Sequence, residues 1–394
     1  MGLLSGFISE NVGKGSMIRA MFEAGAALKK EHGEDAVCDF SLGNPDLPPP
    51  DIVAQTLRDF ADRAGRPFSL GYMPNAGHPR ARAALARHLS AEQGVPLEAG
   101  DVIFTCGAAG GINVLLRAVL DPGDEVLAPA PCFVEYGFYA ANHGASFRTV
   151  PTLPDTFSLD IDAFDAAIGP KTRAVILNSP NNPTGQVYGK EELAELSSLL
   201  EKKSAARGRP IFLISDEPYR FLTYDGVETP SLLGLYPYAV VASSFSKNLS
   251  LPGERIGYLA LSPLLGERAR LMDGLTLSNR ILGFVNAPVL GQMLAAKALG
   301  LSVDTEIYKS RRDLMAGILT DAGYEFLMPK GAFYFFPKAP GGDDLAFTEK
   351  LRKLLVLAVP GSGFAGPGYF RLAYCVDGKV IARAAEALKK ARAV

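Results

Sequence analysis

Through the middle of the chain, short apolar runs alternate with stretches whose apolar residues recur at helical spacing. Runs at 101–105, 125–128, 173–177, 211–215 and 238–242 read as buried strands. Helices are predicted over 51–64, 79–93, 112–120, after Pro131, and over 191–206. This alternation predicts an α/β fold with a mostly parallel sheet between helices, and it places a ligand site at the carboxyl ends of the strands. Before it, Met17, Ile18, Met21, Phe22, Ala24 and Leu28 predict a helix over 16–30. A short strand near 37–42 then runs into a loop at Gly43, either a plain turn or a close backbone approach to a ligand. Pro48-Pro49-Pro50 forms a stiff connector. From about residue 286 the pattern changes. Longer helices are predicted over 288–299 and 305–322, short strands at 331–336 and 370–374, and a closing amphipathic helix over 380–393. The expected division is a large domain over 49–285 and a smaller α+β domain built from 1–48 and 286–394.

Composition narrows the class. The 394 residues are 48% hydrophobic and 21% charged, ordinary for a globular protein. A net charge of −2 gives no basic field for nucleic acid or an anionic membrane. Cys38, Cys106, Cys132 and Cys375 are far apart and form no C-x-x-C pair, which suits a reducing compartment. The opening residues lack the charged and apolar regions of a signal peptide, and no apolar run is long enough for a membrane span. A cytoplasmic enzyme acting on small molecules is expected. His32, His78, His88 and His143 have no metal-binding spacing, and no G-x-S-x-G elbow occurs.

The chemistry-bearing residues fall at the strand ends. Cys106-Gly107-Ala108-Ala109-Gly110-Gly111 follows a strand and precedes a helix, a combination that offers backbone N–H groups and a helix dipole to an anion. It matches neither G-x-G-x-x-G nor the P-loop, so nucleotide readings are weak. Asp216 ends another apolar strand and is costly to bury without a partner; capping the next turn is its plain alternative. Lys247 stands just past the run 238–242 among small hydroxyl residues, with Arg255 eight residues on. An amine partly desolvated beside a cation has its charged form disfavoured and becomes a nucleophile toward carbonyls.

Asn182-Pro183-Thr184-Gly185, Asp216-x-x-Tyr219, Ser244-x-Ser246-Lys247 with Arg255, and Phe370-Arg371-Leu372 occur in an order that resembles the class I/II aminotransferases of fold type I, the aspartate aminotransferase-like group. The resemblance runs from about Ser16 to the last helix. It implies a seven-stranded, mostly parallel sheet, pyridoxal 5′-phosphate as cofactor, and ping-pong transfer of an amino group from an L-amino acid to a 2-oxo acid. Lys247 would carry the Schiff base, Asp216 would face the pyridine nitrogen, and Tyr219 and Asn182 would contact the ring oxygen. Ser244, Arg255 and the backbone at Gly107, Ala108 and Ala109 would hold the phosphate, and Phe133 would stack on the ring. Tyr72 would reach the neighbouring site of a homodimer. Arg371 would bind the substrate carboxylate with help from Gly43 and Asn182, its planar fork matching a carboxylate. Ala108 and Ala109 depart from members with a hydroxyl or lysine there, so no side chain of that turn reaches a distal carboxylate. Arg280 stands one residue from where aspartate-type members place a partner-subunit arginine. Acidic, aromatic and aliphatic donors stay open. So do a carbon–sulfur β-lyase on the same scaffold and a ligand-sensing regulatory domain without turnover. The aromatic run 333–336 reads equally as core or pocket.

Overall fold

The computed structural model describes residues 3–12 and 17–393. The predicted first helix is Met17–His32, and Ser16 lies outside the described residues. After it comes a two-residue strand, β1 (Cys38–Asp39). The central sheet has seven strands: β2 (Val102–Thr105), β3 (Glu125–Ala130), β4 (Ser146–Pro151), β5 (Thr172–Asn178), β6 (Phe212–Asp216), β7 (Ala239–Ser244) and β8 (Gly257–Leu261). Their order is β2-β8-β7-β6-β5-β3-β4. All pairs are parallel except those of β8, which runs against both β2 and β7.

Strands β6 and β7 are buried along their whole length and β5 everywhere but at Arg173, as expected of a sheet covered on both faces. Their register sets Asn178 opposite Asp216 and Asp216 opposite Ala242, so the polar residues that follow emerge along one edge. One face of the sheet packs Leu127, Val175, Leu213 and Val241 into a core with the helices Pro79–Gln93 and Lys190–Arg207. The other packs Val126, Ile176, Ile214 and Val240 against the helix Gly107–Val119.

A separate core gathers Phe40, Tyr219, Tyr308, Phe333, Phe335, Phe370, Leu372 and Tyr374. Two small sheets frame it. In one, β1 pairs in parallel with β10 (Val356–Leu357); in the other, β12 (Phe370–Ala373) lies antiparallel between β11 (Val359–Pro360) and β9 (Tyr334–Phe335). The Ala373 amide donates to the Phe40 carbonyl at 2.9 Å, which fixes the segment leading to Gly43 against β12. Arg311 clamps Asp46 with two bonds of 2.7 and 2.9 Å just beyond it.

Several boundaries differ from the sequence reading. The helix expected over 112–120 begins at Gly107, because Gly110 and Gly111 pack closely on Cys106, Thr105 and Leu259 rather than forming a turn. The helix after Pro131 starts only at Glu135, since the Cys132 amide is held by the Phe364 carbonyl at 2.9 Å. The closing helix is two pieces, Gly378–Arg383 and Ala385–Arg392, with the Ala384 amide shared between the Val380 and Ile381 carbonyls. Strand β4 was not legible, because it is an edge strand with only Val150 fully buried.

Gly257 joins the sheet to the helix start at Gly107. A Cβ on Gly257 would lie 2.5 Å from the Ser243 carbonyl oxygen, 2.6 Å from the Gly107 carbonyl carbon and 2.8 Å from the Ala108 nitrogen. All three are backbone atoms that cannot rotate away. Gly257→Ala is expected to destabilise the protein by about 1–3 kcal/mol in urea unfolding, from overpacking. An unchanged midpoint would show that the helix start has room to move.

Candidate active site

A cavity of about 240 Å³ opens at the carboxyl ends of β5 and β6. Lys247, Asp216, Tyr219, Asn182, Arg371, Gly43, Ala108, Ala109 and Phe133 all line it. They come from distant parts of the chain, brought together by the sheet edge on one side and the aromatic core on the other.

Lys247 follows β7 on a turn, and its Nζ donates to the Gly43 carbonyl at 2.6 Å. Burial lowers its pKa to about 8, and the cations Arg371 and Arg255 push in the same direction. The Phe333 ring centroid is 5.7 Å from the amine. Asp216 Oδ2 accepts from the Tyr136 hydroxyl at 2.6 Å, while its buried Oδ1 has no protein partner. Burial raises the Asp216 pKa to about 7, opposed by the Tyr136 bond and assisted by the charge of Glu217. Glu217 itself turns away, accepting from Ser215 Oγ at 2.7 Å, Gln93 at 3.0 Å and Arg220 at 3.1 Å.

Arg371 is buried on β12. Its Nη1 donates to Asn182 Oδ1 at 3.0 Å and its Nη2 to the Ser41 carbonyl at 2.5 Å, and its Nε has no partner. The guanidinium lies over the Tyr334 and Phe364 rings, each centroid 4.7 Å away. No carboxylate among the described residues pairs with it. Asn182 is presented by a self-bonded loop, its amide donating to Asn178 Oδ1 at 2.7 Å.

Beside the cavity, Gly107 (φ +73°) opens the helix Gly107–Val119, whose first turn has no side-chain cap and no acidic residue. Arg255 packs on Gly107, its Nη2 lying 2.8 Å from where a Cβ would sit. Ser244 lines a small neighbouring polar cavity rather than this one. Tyr72 is 94% exposed, outside the cavity. Arg280, near the end of the helix Arg268–Ile281, is also exposed and outside it. The sequence reading missed Tyr136 and Tyr139, although their helical spacing after Phe133 could have suggested a shared face. It also left Tyr334 undecided between core and pocket; Tyr334 lines the cavity.

A family model described as aminotransferase class I and II matches residues 35–388. The chain belongs to that family. Members of class I and II generally use pyridoxal phosphate, and this aminotransferase shares its fold with solved examples. An amino transferase from Eubacterium rectale superposes with a TM-score of 0.94 at 40% identity, covering 99% of this chain and 98% of that one. The aspartate aminotransferase of Thermus thermophilus with maleate gives 0.87 at 28% identity, covering 99% and 100%. In sequence, the aspartate/prephenate aminotransferase of Thermus thermophilus is 33% identical, covering 91% of each chain. Among the described residues, no helix of this aminotransferase is long and apolar enough to cross a membrane.

The depressed pKa of Lys247 has a stability consequence. Unfolded, the amine titrates at its ordinary value of 10.5; folded, at about 8. The fold therefore loses stability fully below pH 8 and recovers it as pH rises toward 10.5. Lys247→Met is expected to stabilise the cofactor-free protein at pH 7 by about 1–3 kcal/mol, with the gain shrinking at about pH 9.5. Urea unfolding at both pH values checks this, and an equal effect at each would contradict it.

Proposed function

We propose that the cavity holds pyridoxal 5′-phosphate and that an L-amino acid and a 2-oxo acid exchange an amino group there. The observation that carries the reading is Arg371, a buried guanidinium with a free Nε and only neutral partners among the described residues, facing the same cavity as the amine of Lys247. A buried cation without a counter-charge is costly, and a substrate carboxylate removes that cost.

The residues present fit the cofactor. The unpartnered Asp216 Oδ1 is an acceptor waiting for a pyridine N–H. The uncapped helix start at Gly107, Ala108 and Ala109, with Arg255 and Ser244 nearby, suits a phosphate. The Phe133 ring lies on the cavity wall, where it would stack on the cofactor ring. With Asn182 Oδ1 committed to Arg371, its Nδ2 is left to donate to the ring oxygen alongside Tyr219. Bound, the group supplies a carbonyl that condenses with amines and a ring that withdraws electrons from the substrate Cα.

The chain's own residues do the rest. Arg371 orients the substrate by its α-carboxylate, and Gly43, having no side chain, leaves room for the Tyr334 hydroxyl beside it. Lys247 Nζ, its charged form disfavoured by burial, would take the proton from the substrate Cα and deliver it to the carbon that was the carbonyl of the bound group. Asp216 keeps a negative oxygen against the pyridine nitrogen throughout.

Assembly and donor class extend the reading. Phe68 and Tyr72, 93% and 94% exposed, make an apolar face that suits a second copy of the chain, with Tyr72 reaching the neighbouring site of a homodimer. We place the large and small domains at 49–285 and at 1–48 with 286–394, with Leu294 and Ala295 packing into the sheet core and Tyr219 and Leu222 into the aromatic one. The cysteines, none disulfide-bonded, suit the cytoplasm. Relatives named for aspartate favour a dicarboxylic donor. Ala108 and Ala109 bring no cation to it, so Arg280 across the subunit interface would meet the distal carboxylate.

The test is to add single amino acids to the cofactor-loaded protein without an oxo acid and follow the visible absorption. A true donor bleaches the band and yields one equivalent of 2-oxo acid. Asp216→Ala is expected to slow this by roughly 30- to 1000-fold, about 2–4 kcal/mol. Near-normal rates in that variant would refute its role. Release of pyruvate from an S-substituted cysteine without an acceptor would mark a lyase instead. If neither aspartate nor glutamate is an efficient donor, Arg280 has no part.

A further inference from the structure

Tyr334 stands where four functional groups meet. It is buried on β9, and its hydroxyl oxygen is 2.7 Å from that of Tyr219. Its ring lies under the Arg371 guanidinium at 4.7 Å. A Cβ on residue 43 would come within 2.0 Å of the Tyr334 hydroxyl, so the space a side chain would need at Gly43 is taken by that oxygen. The same glycine's carbonyl receives the Lys247 amine. A tyrosine serving only as core would pack its ring against Tyr219 and Phe333, as this one does, and would gain nothing from a hydroxyl bonded to that of Tyr219.

The two hydroxyls share one contact, and either can donate. Under the reading above, Tyr219 gives its only proton to the cofactor ring oxygen. The contact with Tyr334 is then made by Tyr334 donating to Tyr219. A hydroxyl that accepts one bond becomes a better donor in the next, so the chain Tyr334 to Tyr219 to ring oxygen is cooperative.

We propose that Tyr334 is a positioning residue for amino transfer: its hydroxyl sets the direction and strength of Tyr219's bond to the cofactor, while its ring holds Arg371 for the substrate carboxylate. One side chain thus joins the carboxylate grip to the group that tunes the cofactor. The proposal rests on the cofactor reading and goes beyond it in naming how these two parts are linked.

The two functions of the side chain separate in Tyr334→Phe, which keeps every ring carbon and loses only the hydroxyl. Donation to the ring oxygen competes with that oxygen's hold on the proton it shares with the Lys247 nitrogen. Weakening the donor lets that nitrogen keep its proton to higher pH. The readout is the pH midpoint of the visible band in the cofactor-loaded protein, with no substrate present. Tyr219→Phe is expected to raise the midpoint by about one unit or more, the size of a hydrogen bond to a charged group. Tyr334→Phe should raise it by roughly 0.2 to 0.6 units, and should add nothing when placed on Tyr219→Phe. KM for the amino acid should stay within about twofold, because the ring under Arg371 remains, while kcat falls.

An unmoved midpoint in Tyr334→Phe beside a normal wild-type band overturns this proposal alone. An equal shift with or without Tyr219 also overturns it, since the effect would not pass through that hydroxyl. If the loaded wild-type protein has no visible band, the cofactor reading falls and this proposal with it.

Discussion

Three ionisable groups share one cavity without neutralising each other. Lys247 is held by a backbone carbonyl, Asp216 by a phenol and Arg371 by an amide and a carbonyl. Each is left with a shifted pKa or an unmet hydrogen-bonding atom. Burial without pairing costs several kcal/mol per charge, and a cofactor and substrate that supply the missing partners would return much of it as binding energy. The rest of the fold keeps the three apart around one cavity.

The seven-stranded sheet supplies the stiffness. Asp216 is placed by its register against Asn178, and Lys247 by the end of the neighbouring strand. Gly43 and Arg371 arrive from the other side, joined through the Phe40 and Ser41 carbonyls to β12. The site thus lies between two cores. A change in how they pack would alter the Lys247 to Gly43 and Arg371 to Asn182 contacts.

Much of this was legible in the chain. Apolar runs marked the central strands, and the polar residues that terminate them marked the cavity, because a parallel sheet exposes its strand ends in one place. Of the aromatic lining, Phe133 and Tyr219 were legible and Tyr136, Tyr139 and Tyr334 were not. Tyr136 matters because it reaches Asp216 eighty residues away, and Tyr334 because it meets Tyr219 and Gly43. Such contacts leave no local pattern, since an aromatic residue in a buried run reads as core. Gly43 illustrates the same limit. Its position left a plain turn and a backbone approach to a ligand both open, and its close neighbour is the Tyr334 hydroxyl.

The central claim is that Lys247 is the amine that bonds the cofactor. Borohydride reduction of the pyridoxal phosphate-loaded protein, followed by digestion and mass spectrometry, tests it directly. The account predicts a single reduced adduct, on the peptide containing Lys247. An adduct on another lysine, or none on a protein that stays yellow before reduction, would contradict it.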